Sequence, residues 1–586
     1  MDATKAVQNY LNKMISEVTG MKVLLMDAET TSIISMVMTQ TQLLQREVYL
    51  IDRIDNAQRE KMRHLKCICF VRPTGEAVQA LIEELRDPRY GDYYLYFSNT
   101  LKKSDIERLA EVDEYEVVRE VQEYYADFLA IQPELFHLNV SAPTNPLYVE
   151  NLSTWDTKTF GRVTEGILAM LLALKKKPLI RYEKSSALAK KLASELSYQM
   201  QQEGPLFDFR RPDTSPILLI MDRRNDPITP LLLQWTYQAM VHELIGITNG
   251  RVDLSGLPDV RPEMKEVVLN PEQDSFYRKS MYLNMGDLGG NIKSYVDEYQ
   301  TKHKSSAQVE SISDMKKFVE DYPEFRKLSG NVTKHVTLVG ELSRQVGRGH
   351  LMEVGELEQS LAVNDSHTQD LKTLKGVVER PDIPDDAKVR LVLLYALRYE
   401  KAQANATPAL LDALARSGVS DKKIALVGHV LQYAGADQRL GEDLFSNQTA
   451  FSRTKNIFKG LQGVENVYTQ HVPHLVETLQ ECIKGKLRDT LYPFVEGSTR
   501  DKPQDIIVFI IGGATYAEAH EVNKLNTANP AVRIVLGGTS VHNSQSFLKE
   551  AAESVSRWGS AASGKKHTGG ISSPPPPDRL RSAKIA

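Results

Sequence analysis

Cysteine is scarce: Cys67, Cys69 and Cys482 are the only three in 586 residues. So few thiols exclude a disulfide-built scaffold and fit a reducing compartment. They also cannot supply the four ligands of a structural zinc site. Cys67 and Cys69 alternate in LKCICFVRP, which places both on one side of a strand as small core residues. Long apolar runs are missing too. The longest, in GILAMLLALKKK and DIIVFIIGGA, reach about half of the roughly 20 residues a membrane helix needs. The amino terminus MDATKAVQNYLNKMISEVTG lacks a secretory apolar core, so direct membrane insertion is not expected. Nor is there an excess of positive charge: 72 basic against 76 acidic residues give a net −4, which argues against a nucleic-acid partner.

Catalytic signatures are equally thin. No GxxxxGK run exists to cradle phosphates, and LLMDAETTS after the first strand puts an acid where a pyrophosphate would sit. HELIG begins like a zincin motif, but Gly246 stands where the second histidine belongs. His471 and His474 are split by Pro473, and a satisfied structural role is expected for both. No GxSxG elbow is present. The expectation is therefore no catalytic residue, no metal and no cofactor. The competing reading is an α/β nucleotide-binding protein or enzyme using the turns Gly512-Gly513 and Gly537-Gly538, which follow apolar strands. Thr515 and Glu518 have capping-box spacing, however, and would satisfy that helix start from within.

What is present is an ordinary globular composition, 41% hydrophobic and 25% charged, on a chain long enough for several units. MKVLLMD, EVYLID, KCICFVRP and YYLYFSN read as strands, separated by helical patterns such as TGEAVQALIEELRDP. A second α/β pattern follows, then a long helical stretch, and then KPQDIIVFIIGGATYAE and AVRIVLGGTSVHN restore strand–helix alternation. The expected fold class is α/β: two parallel-sheet α/β domains with a mainly helical domain inserted into the second. The expected ranges are 1–130 for the N-terminal domain and 131–246 for the first part of the middle domain. The helical insertion is placed at 247–475, the rest of the middle domain at 476–556, and a disordered Ser/Gly/Pro-rich tail at 557–586.

The segment MDRRNDPITPLLLQWTYQAMVHELIG marks the junction. PILLIMD is a buried strand ending at Asp222, and RRNDP is a turn in which Pro227 restricts Asp226. Thr229 and Pro230 stand where an N-cap and first helical residue belong, predicting a helix of roughly sixteen residues, ~24 Å long, closed by Gly246. Asp222 and Asp226 could form an acid/base pair, but a structural turn is the simpler reading. Glu243 near the helix end is expected to be paired at a domain junction.

DRRNDPITPLLLQW resembles the D-R-x-x-D-x-x-T-P-L segment of the Sec/Munc (SM) family of SNARE-binding proteins, and IIGGATYAE with RIVLGGTSVHN resembles its C-terminal motif. The resemblance spans residues 1 to 555 and is strongest to members of the endosomal and trans-Golgi route. It implies a three-domain arch without catalysis. The implied partners are a syntaxin-family SNARE, the assembled SNARE complex and tethering factors. The implied location is cytoplasmic, held peripherally on endosomal and Golgi membranes by the SNARE. It further implies a syntaxin N-peptide pocket at Ile106, Leu109, Val118, Val121 and Glu123, and a central SNARE cleft at Asp27, Ser32 and Asp52. Ser32 replaces a basic residue of related members, which departs from their closed-syntaxin mode. A helical hairpin around Met315 to Leu351 would template the SNAREs.

Overall fold

The computed structural model describes residues 1–565 apart from 143, 150, 152, 211, 259, 308–311, 364–365 and 437–467. Five parallel strands form the first sheet: β1 (Lys22–Met26), β2 (Val48–Arg53), β3 (Met62–Val71), β4 (Tyr90–Phe97) and β5 (Val118–Glu123), in the order β2-β1-β3-β4-β5. Alternation along these strands sorts their side chains into two cores. Leu24, Met26, Ile68 and Phe70 face a core shared with helix Ala3–Glu17. Val23, Leu25, Cys67 and Cys69 face helix Gly75–Arg86 on the other side. The two buried thiols lie 3.6 Å apart on that face, as their alternation predicts.

The second sheet has six strands: β6 (Leu129–Gln132), β7 (Leu135–His137), β8 (Leu179–Tyr182), β9 (Ile217–Asp222), β10 (Asp505–Ile511) and β11 (Arg533–Gly538). Their order is β6-β7-β11-β10-β9-β8. β10 pairs with β9 on one side and β11 on the other, so chain from both sides of the helical stretch shares one sheet. The seven residues of β10 are all buried, which is what a central parallel strand covered on both faces requires. Leu129 and Ala130 already pair in this sheet. The change of sheet therefore falls between Glu123 and Leu129, slightly before the residue 130 expected from patterning.

Between β9 and β10 the chain is mainly helical. Helices Met285–Ala307 and Ile312–Arg348 form a long hairpin, followed by Leu351–Val363, His367–Glu379, Asp385–Arg398, Thr407–Arg416 and Asp421–Ala434. A continuous core joins the first sheet, one face of the second and this block, which is how three units become one body.

The last helix, Ser544–Lys565, corrects the expected tail: 557–565 continue a helix whose earlier turns bury Phe547, Ala551 and Val555. Residues 566–586 lie outside the described residues. Within this helix Glu550 is 2% exposed; one oxygen accepts the Ala142 N–H at 2.9 Å and the other has no partner. Burial pushes its carboxyl up to about 7. A folded-state value above the unfolded one means stability is fully present below about 4.5 and lost as pH rises through 7. Glu550→Gln should therefore match the wild type near pH 4.5 and exceed it by about 3 kcal/mol above pH 7. Denaturant melts across that range check this; a constant difference would contradict it.

Candidate functional site

Helix Lys103–Val112 and edge strand β5 form the outer corner of the first sheet. Strict alternation would send Val118 and Val121 to opposite faces. The β4–β5 register prevents this: Tyr93 stands opposite Val118, but Leu95 stands opposite Val121 and Phe97 opposite Glu123. The irregularity leaves Arg119 unpaired, a bulge that returns Val118, Val121 and Glu123 to the side of Tyr93, Leu95 and Phe97. Leu109 is buried in that same core. Ile106 and Val121 remain 43% exposed each, so the corner offers apolar surface above a packed floor. Glu123 accepts the Leu101 N–H at 2.6 Å and the Tyr125 hydroxyl at 2.8 Å. It fixes the loop entering the helix, and each oxygen keeps a second lone pair.

The inner end of the sheet is organised by strand order. Between β1 and β3 the order reverses, and open α/β sheets form a crevice at that switch point. Asp27 follows β1 and caps helix Ala28–Val37 through a capping box with Thr30; its other oxygen accepts the Arg72 N–H at 2.6 Å. Asp52, opposite Leu25 in the register, holds Asn56. The Ser32 hydroxyl bonds back to the Ala28 carbonyl. The Arg72 side chain reaches Asp127, Glu29 and Glu165 at 3.1, 3.2 and 2.6 Å. Glu165 lies on helix Thr157–Leu174, so this cluster ties the first sheet to the second layer at the floor of the crevice.

The third cluster lies where β9 ends. Asp222 accepts hydrogen bonds from Arg224 and Ser186, each at 2.6 Å. Arg223 is 1% exposed; it donates to both oxygens of Glu518 at 2.8 and 2.6 Å and to the carbonyls of Gly513 and Asp226 at 3.0 Å. Asp226 accepts from the Thr229 hydroxyl at 2.6 Å and the His474 N–H at 3.1 Å, and His471 stands 2.9 Å from the same hydroxyl. Burial alone would raise both aspartates, but Arg224 at Asp222 and Arg223 at Asp226 outweigh it and hold them below the usual carboxylate range. Buried carboxylates held so low are poor general bases; they act as ties.

Downstream, the expected sixteen-residue helix is absent. Thr229–Leu231 is one short 3₁₀ turn containing Pro230, Leu232 is extended, and only Tyr237–Leu244 is α-helical, with Gly246 at φ +104° beyond it. The reason is tertiary. The Leu233 N–H is taken by Glu358 at 2.8 Å, and the N–H groups of Tyr237 and Gln238 by the carbonyls of Leu283 and Met281. Thr229 is consequently a partner of Asp226 rather than a helix cap. Glu243 at the end of the shortened helix pairs with Arg390 at 2.9 Å and accepts the Ser544 N–H at 2.9 Å. Arg390 also holds Glu358, so three chain segments meet on one guanidinium.

The Gly-Gly turns are filled from within the chain. Thr515 and Glu518 form the capping box their spacing predicts. A Cβ on Gly513 would lie 2.4 Å from the His542 ring, and one on Gly537 2.1 Å from the Phe136 ring. These glycines admit close packing, and the helix start carries its own carboxylate where an anion would bind.

The Sec1 family model matches residues 22–550. The chain belongs to the Sec1 family. This Sec1-family chain is 52% identical over 553 residues to vacuolar protein sorting-associated protein 45 of Rattus norvegicus, covering 94% of this chain and 96% of that protein. The like-named Schizosaccharomyces pombe protein is 47% identical over 557 residues, covering 94% and 98%. Among solved structures, the SM protein Vps45 in complex with the Qa SNARE Tlg2 superposes with a TM-score of 0.90 at 54% identity, over 95% of this chain and 99% of that one. The Unc18–syntaxin 1 complex of Monosiga brevicollis gives 0.76 at 18% identity over 94% and 99%, a likeness of fold alone. The architecture is the three-domain arch of this family.

Several residues that organise this Sec1-family chain escaped sequence reasoning: Glu518 as partner of Arg223, Arg390 with Glu358, and Arg72 with Asp127. Each pair joins distant segments, so no local spacing announces it. The available signal was the pair of arginines directly after Asp222, at the end of a buried and otherwise apolar strand, where charge is costly unless matched.

Proposed function

We propose that this chain is an SM-type regulator that binds a syntaxin-family SNARE of the endosomal, trans-Golgi and vacuolar route and promotes SNARE assembly for vesicle docking and fusion. The observation that carries this reading is the full-length likeness, 54% identical at a TM-score of 0.90, to a Vps45 solved in complex with the Qa SNARE Tlg2. The role is non-enzymatic: Asp222, Asp226, Glu243 and Glu518, the carboxylates gathered at the domain junction, are each paired with an arginine and hold chain segments together.

In this reading the corner of Ile106, Leu109, Val118, Val121 and Glu123 receives the syntaxin N-peptide, an apolar anchor entering between helix and strand. Asp27, Ser32 and Asp52 line the central cleft. The hairpin around Met315 to Leu351 templates the SNAREs; its side chains at 315–327 lie outside the described residues. Among the described residues no helix is long and apolar enough to cross a membrane, so the chain reaches endosomal and Golgi membranes through its SNARE partner and tethering factors. Gel filtration with the soluble region of an endosomal or trans-Golgi syntaxin tests this, a stable co-eluting complex being the expected result. A saturable thermal shift with ATP, GTP or a sugar nucleotide would instead favour the nucleotide-binding alternative.

A further inference from the structure

The strand starts of the second sheet carry a concentration of positive charge that the SNARE reading does not use. β8, β9, β10 and β11 begin in register: Leu179 stands opposite Ile217, Ile217 opposite Ile506, and Asp505 opposite Arg533. The segments leading into them therefore lie along one rim, roughly 15 Å wide for four strands about 4.8 Å apart. The described residues of these segments are those of KKKP, of DFR up to Arg210, of PDTSP from Pro212, and of TRDKPQ, with Arg533 itself starting β11. A further basic segment, KGKLR at 484–488, joins the rim. A Cβ on Gly485 would stand 3.3 Å from the Arg500 carbonyl and 3.6 Å from the Lys502 side chain.

The rim is braced. The Leu179 N–H donates to the Pro216 carbonyl at 2.9 Å, the Gln504 N–H to the Thr214 hydroxyl at 3.3 Å, and the Arg533 N–H to the Gln504 carbonyl at 2.8 Å. Lys176 and Arg533 both pair with the buried Asp505, at 2.6 and 2.9 Å. That acid is thereby consumed. Lys175, Lys177, Arg210, Lys486, Arg500 and Lys502 remain exposed, and no ion pair engages them among the described residues. Asp208, Asp213 and Asp501 are interleaved but fewer, so the rim is positive on a chain whose net charge is −4.

The kind of partner follows from what accompanies the charge. None of the large exposed apolar side chains among the described residues lies on these segments. A protein partner is ordinarily held by buried aromatic or aliphatic anchors in pockets, and this face provides none. A broad cationic rim without anchors matches a delocalised anionic surface, where each Lys or Arg near the headgroups contributes separately and salt weakens the sum.

We propose that this rim is a peripheral membrane-contact face that adsorbs to anionic phospholipid headgroups without inserting. It acts beside, and independently of, any SNARE contact. The test is co-sedimentation of the full chain with phosphatidylcholine vesicles, with and without phosphatidylserine, at ~0.1 M and ~1 M salt. A triple variant, Lys177→Glu, Lys486→Glu and Lys502→Glu, is compared with an equal charge change elsewhere, Lys372→Glu, Lys375→Glu and Lys401→Glu. The expected result is binding that requires phosphatidylserine and disappears at high salt. It should fall at least about tenfold in the rim variant and stay near wild type in the control. Absence of binding to anionic vesicles at low salt, or equal loss in both variants, overturns the proposal. Binding of the full chain to poly-glutamate, lost in the rim variant, without binding to anionic vesicles also overturns it and would reassign the face to an acidic protein.

Discussion

Arg223→Ala should lower the unfolding free energy by about 3–5 kcal/mol, because it leaves Glu518 buried without its counter-charge. Glu518 is 1% exposed, so water cannot replace the guanidinium. The same change removes the donors to the Gly513 and Asp226 carbonyls and opens a void at the seam between β9 and the helix that follows β10. A pair of charges can often be exchanged for apolar residues at little cost. Here the double variant Arg223→Met, Glu518→Leu is expected to recover only part of the loss. The two carbonyls stay unpaired, and Thr515 loses the side chain that accepts its N–H at 2.9 Å. Urea melts of the single and double variants check this. Full recovery would show that the charge pair alone matters; a loss under 1 kcal/mol for Arg223→Ala would sink the view of this cluster as the tie between the two parts of the second sheet.

Ile106→Arg is expected to act in the opposite manner, sparing stability and removing function. Its side chain is 43% exposed, so the change in folding stability should stay within about 0.5 kcal/mol. A charge placed in the apolar corner should weaken binding of a syntaxin N-terminal peptide by 2 kcal/mol or more, roughly thirtyfold, as loss of an anchor contact does. Val121→Arg should do the same. Glu123→Ala should differ, because the Leu101 N–H loses its acceptor and the loop before the helix loosens along with the binding. Peptide affinity and melting midpoint measured together separate these cases. Unchanged affinity in both arginine variants would remove this corner from the binding surface.

Much of this was legible in the sequence because it rests on short-range rules. Alternation found β1 to β4 and placed Cys67 beside Cys69; the Thr515–Glu518 spacing gave the capping box; the return of apolar strands near residue 505 gave the inserted arrangement. The helix from Thr229 failed for an instructive reason. Its proline and threonine did carry helix-start chemistry, yet Glu358, 125 residues on, captured the Leu233 N–H, and the 281–283 backbone captured the next donors. The pocket candidates show the converse. Val118 and Val121 have the wrong spacing for one face of a regular strand, and only the bulge at Arg119 brings them together. Bulges of this kind depend on the neighbouring strand and leave no mark in a single sequence. The helical continuation past Val555 was hidden by a Ser/Gly-rich composition that argues for disorder when read alone.

The measurement that bears most directly on the account is calorimetric titration of the soluble region of an endosomal or trans-Golgi Qa SNARE into the full chain, wild type and Ile106→Arg. The account predicts saturable binding to the wild type, weaker in the variant. Absence of binding by this and every other syntaxin tried, with the chain shown to be folded, would contradict it.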